Sequence, residues 1–161
     1  MPVATSKQLE QYAAIPTQIA RAIEGLTEAQ LLQTPIKGEW TIHEVIIHLA
    51  DSEAVGFWRL RKTLAERDSI LAVYDEDAWS KTLFYRQQDY RLALQLFTDL
   101  RASSAALLAL LPSQSWELTS THTESGKLSL YDLFQTYLEH GEIHLQQIER
   151  VKQALTTTGH P

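Results

Sequence analysis

The stretch LYDLFQTYLEHGEIHLQQ, Leu130–Gln147, reads as a single amphipathic helix. Leu133, Phe134, Tyr137, Leu138, Leu145 and Ile148 recur at helical spacing and mark a core-facing stripe. His140 and His144 are four residues apart in it, so both imidazoles lie on one face, one turn apart. A buried histidine needs partners for its ring nitrogens. Two on adjacent turns can share a metal ion if a third ligand arrives from another element.

Working outward, the punctuation divides the chain into four long helical stretches. The first runs from about Ser6 to Glu24, and Pro16 predicts a kink or a restart within it. Thr27-Glu-Ala-Gln30 has a capping-box pattern and predicts a short helical turn. The second long helix opens at the box Thr41-Ile-His-Glu44, with Trp40 packing over its start, and ends near Ala65 or Glu66. Residues 67–80 read as irregular, with a short helical turn at Tyr74–Trp79. The third covers about Gln88–Leu111 and closes at Pro112. Residues 113–129 form a long polar loop with room for a short hairpin, and loops of that length often border a site. Ser129-Leu-Tyr-Asp132 caps the fourth helix, which runs to about Leu155.

No repeat or interdomain linker interrupts the 161 residues, which suffice for one domain with a real core; residues 156–161 read as a frayed tail. The expected fold is all-α, an antiparallel four-helix bundle, up-down-up-down or with a longer crossover, and with the long loop between its third and fourth helices.

Composition narrows the chemistry. The net charge is −6 with the charges interspersed, which disfavours nucleic acid and anionic membranes as partners. There is no cysteine, so any metal sits on nitrogen and oxygen ligands. The first residues lack the apolar run of a signal peptide, and no stretch approaches the ~20 apolar residues of a spanning helix. The chain therefore reads as cytoplasmic.

His48, on the second helix, is the candidate third ligand: if the second and fourth helices pack together, it meets His140 and His144. Three neutral imidazoles leave coordination positions open, as in a catalytic metal site, and Zn, Ni, Fe and Mn all suit such donors. His43 falls in the first turn, pointing away from His48, and reads as exposed. No residue is assigned a catalytic role; His122 and Glu124 in the polar loop are the candidates, weighed against a loop histidine bonded to its neighbours. Asp51 or Glu53 could orient a ligand's second nitrogen, and Arg59 could reach an anionic group or form a surface salt bridge.

Four motifs together carry a resemblance. They are Gly38-Glu-Trp-Thr-Ile…Ile47-His-Leu-Ala-Asp-Ser52, Tyr74-Asp-Glu-Asp-Ala-Trp79, His122-Thr-Glu124 with Gly126, and Tyr137-Leu-Glu-His-Gly-Glu-Ile-His144. From about Gly25 to Val151 the chain resembles the DinB-like superfamily of four-helix bundles, and within it the YfiT-like group of proposed metal-dependent hydrolases. The resemblance implies a metal, commonly nickel or zinc, on His48, His140 and His144. It also implies a homodimer, and a small-molecule substrate with a low-molecular-weight thiol as co-substrate, since some members of the superfamily are thiol transferases. Two departures alter the pocket: Glu53-Ala-Val55 stands where the YfiT-like pattern has His-Met-Asn, and Leu145 where it has a second histidine. The expected function is a metal-dependent enzyme that activates a thiol or water for transfer to, or hydrolysis of, a small electrophile. The alternative is a non-catalytic bundle or dimer fixed by its histidines.

Overall fold

A computed structural model describes residues 2–158. Four helices form the bundle: α1 (Ser6–Ala22), α3 (Ile42–Ala65), α5 (Tyr90–Ala109) and α6 (Leu130–Thr158). The short helices α2 (Glu28–Leu31) and α4 (Glu76–Thr82) lie in the connections. The three N-terminal signals expected from sequence form, joined by a fourth at Asp75. The boxes at Thr27 and Thr41 are complete, Asp75 caps α4, and the Asp132 carboxylate accepts from both the amide and the hydroxyl of Ser129 at the start of α6. A fourth box, Thr5 with Gln8, opens α1. Helix α6 continues through residues 156–158, read from sequence as frayed; residues 159–161 lie outside the described residues.

The helix directions differ from a simple antiparallel bundle. Gln8 bonds Tyr131 and Gln135, and Lys152 bonds the Ala22 carbonyl, so α1 and α6 run parallel. His43 meets Tyr90, Glu53 meets Arg101, and Arg61 meets Ser104, so α3 and α5 also run parallel. His48 lies opposite His140 and Arg59 opposite Tyr137, so α3 and α6 are antiparallel. The order is up-down-down-up, with α1 packed against α5 and α6, and α3 likewise packed against α5 and α6. Parallel packing of α3 and α5 forces residues 66–89 to retrace the 24-residue length of α3, about 36 Å at 1.5 Å per residue. This return leg carries α4.

The chain is not purely helical. Three short strands, β1 (Ile70–Leu71), β2 (Thr119–His122) and β3 (Gly126–Ser129), form one sheet. β2 and β3 are the hairpin, in antiparallel register from Thr119↔Ser129 to His122↔Gly126, and Gly126 takes the positive φ of 73° that suits a residue without a Cβ. β1 joins in parallel, Ile70 opposite Thr121. β2 shows no apolar alternation because its inward residue is polar, whereas β1 is too short to alternate and buries Leu71. Ser120 is 2% exposed and bonds Thr63 of α3 and Ser69.

Two apolar clusters flank a buried polar centre. Ile15, Ile19, Val45, Ile46, Phe97, Ile148 and Val151 fill one; Tyr12, Leu60, Leu108, Trp116, Phe134 and Leu138 fill the other. Between them sits Arg101, 0% exposed. Its Nε donates to Glu53 Oε2 at 2.8 Å, its Nη1 to the Tyr12 carbonyl at 3.1 Å and its Nη2 to the Tyr137 carbonyl at 2.5 Å. The Tyr12 hydroxyl donates to the other Glu53 oxygen. One guanidinium on α5 thus ties α3, α1 and α6.

Two sequence features make room for it. Pro16 does not restart α1; the helix passes through it. Because Pro16 has no N–H, the carbonyl four residues earlier, that of Tyr12, is left without its helical donor and accepts from Arg101 instead. Gly141 leaves the space on α6, where a Cβ would stand 2.8 Å from the guanidinium nitrogens.

Removing one partner strands a buried charge, so Glu53→Ala should lower unfolding free energy by about 3–5 kcal/mol in urea titrations. The paired change Glu53→Leu with Arg101→Met should recover most of that loss; a double variant as unstable as the single one would mean that the ion pair is not the source.

Candidate metal centre

His48 is carried by the second turn of α3, on the face that meets α6, and is 0% exposed. His140 and His144 project from α6 toward it and are half-buried. The Nε2 atoms of His48 and His140 are 3.0 Å apart, and those of His140 and His144 are 3.1 Å apart. One nitrogen from each ring falls within 4.8 Å of the other two. The structure thus brings together the three histidines singled out from sequence.

Burial pushes the His48 imidazole down to about 3, with the charge of His144 adding to it. His140 is also lowered to about 3, first by burial and then by His144, His48 and Arg101. Burial lowers His144 as well, opposed by a hydrogen bond to Gln147. The cluster is therefore neutral at ordinary pH. A neutral imidazole has one N–H and one lone pair. His144 Nδ1 donates to Gln147 Oε1 at 2.7 Å, which turns its Nε2 lone pair toward the other two rings. His48 Nδ1 is buried with no hydrogen-bond partner.

These residues fit a metal ion. Lone pairs facing one another at this range need a shared positive centre, and protonation is opposed by burial. Two nitrogens each about 2.0–2.1 Å from one ion stand about 2.8–3.4 Å apart for angles between 90° and tetrahedral, which spans the two separations observed. The donor set is three neutral nitrogens with no sulfur, suited to several divalent ions.

The surroundings correct several sequence readings. Glu53 does not orient an imidazole; Arg101 and Tyr12 occupy its oxygens. Asp51 accepts from the Tyr85 hydroxyl at 2.8 Å instead. His43 is 6% exposed rather than open to solvent, because its ring packs edge-on against Tyr90 of α5. His122 follows the alternative set beside its catalytic reading, a loop histidine bonded to its neighbours: its Nδ1 accepts from the amides of Glu124 and Ser125 in the hairpin turn. Arg59 is 8% exposed and makes no salt bridge among the described residues.

Two neighbours of the triad were not singled out from sequence. Glu76, in the first turn of α4, holds a carboxylate oxygen 3.8 Å from His48 Nε2. Among the described residues it is the one carboxylate within 4.0 Å of these imidazoles. Its signal was its place in the acidic motif Tyr74–Trp79, but only the return leg brings that motif beside α3. Gln147 was legible as the residue one turn beyond His144 on the same face. Trp40 walls the opposite side, its ring 4.8 Å from that of His48.

A fold and a site of this kind define a class, helical bundles with a buried cluster of three histidines. The chain belongs to the DinB superfamily, whose family model matches residues 11–148. It is 28% identical over 151 residues to YfiT of Bacillus subtilis, a protein named as a candidate metal-dependent hydrolase, spanning 92% of this chain and 84% of that one. It is 31% identical over 134 residues to OB0782 of Oceanobacillus iheyensis, named in the same way, spanning 83% and 77%. The solved structure of Bacillus subtilis YfiT, described as a candidate metal-dependent hydrolase with an unusual four-helix bundle topology, superposes with a TM-score of 0.87. That alignment has 25% identity over 95% of this chain and 90% of the other.

The depressed imidazoles set a pH dependence. His48 and His140 bind protons near 6.5 when unfolded but near 3 when folded, so between these values the unfolded state holds more protons. Their effect is absent above about 6.5 and grows as pH falls. Each should remove up to about 1.4 kcal/mol of stability per pH unit, or about 4 kcal/mol for the pair between pH 6.5 and 5. Urea titrations of metal-free protein at pH 7 and 5 measure this, and equal stabilities would contradict the burial assigned to the two rings.

Proposed function

We propose that the protein is a metal-dependent enzyme in which the Nε2 atoms of His48, His140 and His144 hold one divalent ion, nickel or zinc. The observation that carries this reading is the gathering of three neutral, mostly buried imidazole nitrogens within 4.8 Å of one another, two pairs of them 3.0 and 3.1 Å apart. The relatives' names support the same class of activity. A divalent ion on three imidazoles keeps open positions and, when bound, lowers the pKa of a thiol or water presented to a small electrophile.

The chain's own residues do the rest. Gln147 holds His144 in the tautomer that ligates. Glu76, its side chain 58% exposed, takes the proton that the nucleophile loses and returns it to solvent. Trp40 covers His48 and keeps bulk water from that side. The nucleophile is a low-molecular-weight thiol in a transferase or water in a hydrolase. The reading extends to a cytoplasmic enzyme, since no helix among the described residues is long and apolar enough to cross a membrane. It extends also to a homodimer, supported by Leu92 and Leu96, exposed on α5.

Elemental analysis of natively purified protein should find about one divalent ion per chain. Each of His48→Ala, His140→Ala and His144→Ala should strip it while the helical circular dichroism persists. Full metal content in all three variants would remove the site. Gln147→Ala should weaken metal binding by about 10–100-fold. Metal-dependent consumption of a thiol with an electrophile marks a transferase and metal-dependent hydrolysis without thiol marks a hydrolase; a metal that raises the melting temperature but supports neither would mark a structural site closed by Glu76.

A further inference from the structure

Arg59 is the second buried arginine, and unlike Arg101 it has no counter-ion. It is 8% exposed. Its Nη1 donates to the Tyr137 hydroxyl at 3.1 Å and its Nη2 to the Ala72 carbonyl, both neutral acceptors. Its Nε is buried with no hydrogen-bond partner. Among the described residues no carboxylate lies within 4.0 Å of it. A guanidinium has five N–H groups and cannot shed its charge, so a buried one without an anion is costly to keep.

This cation forms part of the wall of a cavity of about 480 Å³, together with Tyr74, Asp75, His122 and Glu124. The volume falls within the roughly 300–1,000 Å³ of small-molecule sites. Asp75 and Glu124 are exposed, and one Asp75 oxygen is engaged in capping α4. Neither pairs with Arg59, so the cavity keeps one sign of charge on its inner wall and the other at its rim. A bare anion meets repulsion at that rim. A carboxylate with an ammonium group beside it satisfies both.

The cavity and the triad share one face of α3, although no triad residue lines the cavity. Ser52, Gly56 and Arg59 follow His48 at four, eight and eleven residues, which places them on one face of α3. Tyr74 bonds Ser52 and feels the charges of both Arg59 and Glu76. Eleven residues span about 16 Å along the helix axis, so a molecule touching both Arg59 and the triad is extended, larger than a single amino acid.

We propose that Arg59 anchors a carboxylate subsite that receives the α-amino-acid end of a peptide-sized substrate or co-substrate, with Glu124 and Asp75 meeting its ammonium group. The metal-centre reading enters only in placing the molecule's reactive end at the triad.

The test follows the Arg59 Nε–H signal by NMR in the full chain, assigned by its loss in Arg59→Met. The probes are the tripeptide thiol glutathione and its diethyl ester, each titrated with and without bound zinc. The signal should shift saturably with glutathione, and the ester should bind at least tenfold more weakly. Arg59→Lys should retain part of the preference for the free acid, and Arg59→Met should abolish it. An unmoved signal, or equal affinity for acid and ester, overturns the subsite. The metal reading fails separately: zinc would then change neither affinity nor turnover while the Arg59 shift persisted. Should Arg59→Met not fold, Arg59→Lys assigns the signal and the wild-type titration alone decides.

Discussion

The fold rests on a single guanidinium. Arg101 is out of water at the centre of the bundle, and its bonds reach a carboxylate on α3 and carbonyls on α1 and α6. Apolar clusters on either side could accommodate several helix registers at similar energy, because packing of this kind is not directional. The Arg101 contacts are directional, and a slip of one residue on any helix would leave a charge or carbonyl unmet. Pro16 and Gly141 take their meaning from this constraint. One exposes a carbonyl that helical hydrogen bonding would otherwise use, and the other removes the Cβ that would displace the guanidinium. The same network sits beneath the triad, since the charge of Arg101 helps keep His140 neutral.

Much of this was legible in the sequence, and the part that was not has a physical reason. Helix positions follow from apolar period and capping boxes, which are local, so the boxes at Thr27 and Thr41 appear where they were expected. The histidine cluster was legible because His140 and His144 share a face and His48 sits beside an apolar stripe. Helix direction is not a local property. Nothing in the spacing of Ile42–Ala65 and Tyr90–Ala109 says that these helices run parallel. Of the sheet, only the hairpin of residues 113–129 was foreseen; β1 is two residues long and β2 is pinned by hydroxyls at Thr63, Ser69 and Ser120, so neither shows apolar alternation. His43 is a similar case: its burial is set by Tyr90, 47 positions away. Glu53 and Asp51 were correctly seen near the site, but their partners Arg101 and Tyr85 lie on distant segments.

The up-down-down-up order also explains how a small bundle acquires a site of some complexity. A meander would join its helices by short turns at the ends and leave the His48 face of α3 open to water. Here the return leg runs back along α3, laying Ala72 by Arg59, Tyr74 by Ser52 and Glu76 by His48. The bundle supplies the rigid imidazoles, and the crossing strip supplies the groups around them.

That strip has a further consequence. None of the residues of α4 is fully buried, so the segment facing the triad contributes little to the core that holds the bundle together. Its side chains can be exchanged with small effect on folding free energy, while those of α3 and α6 cannot. The architecture thus separates two inheritances: a histidine-bearing frame resistant to change, and a facing strip free to vary. A lineage built on this fold can alter what it recognises one residue at a time without risking the protein itself.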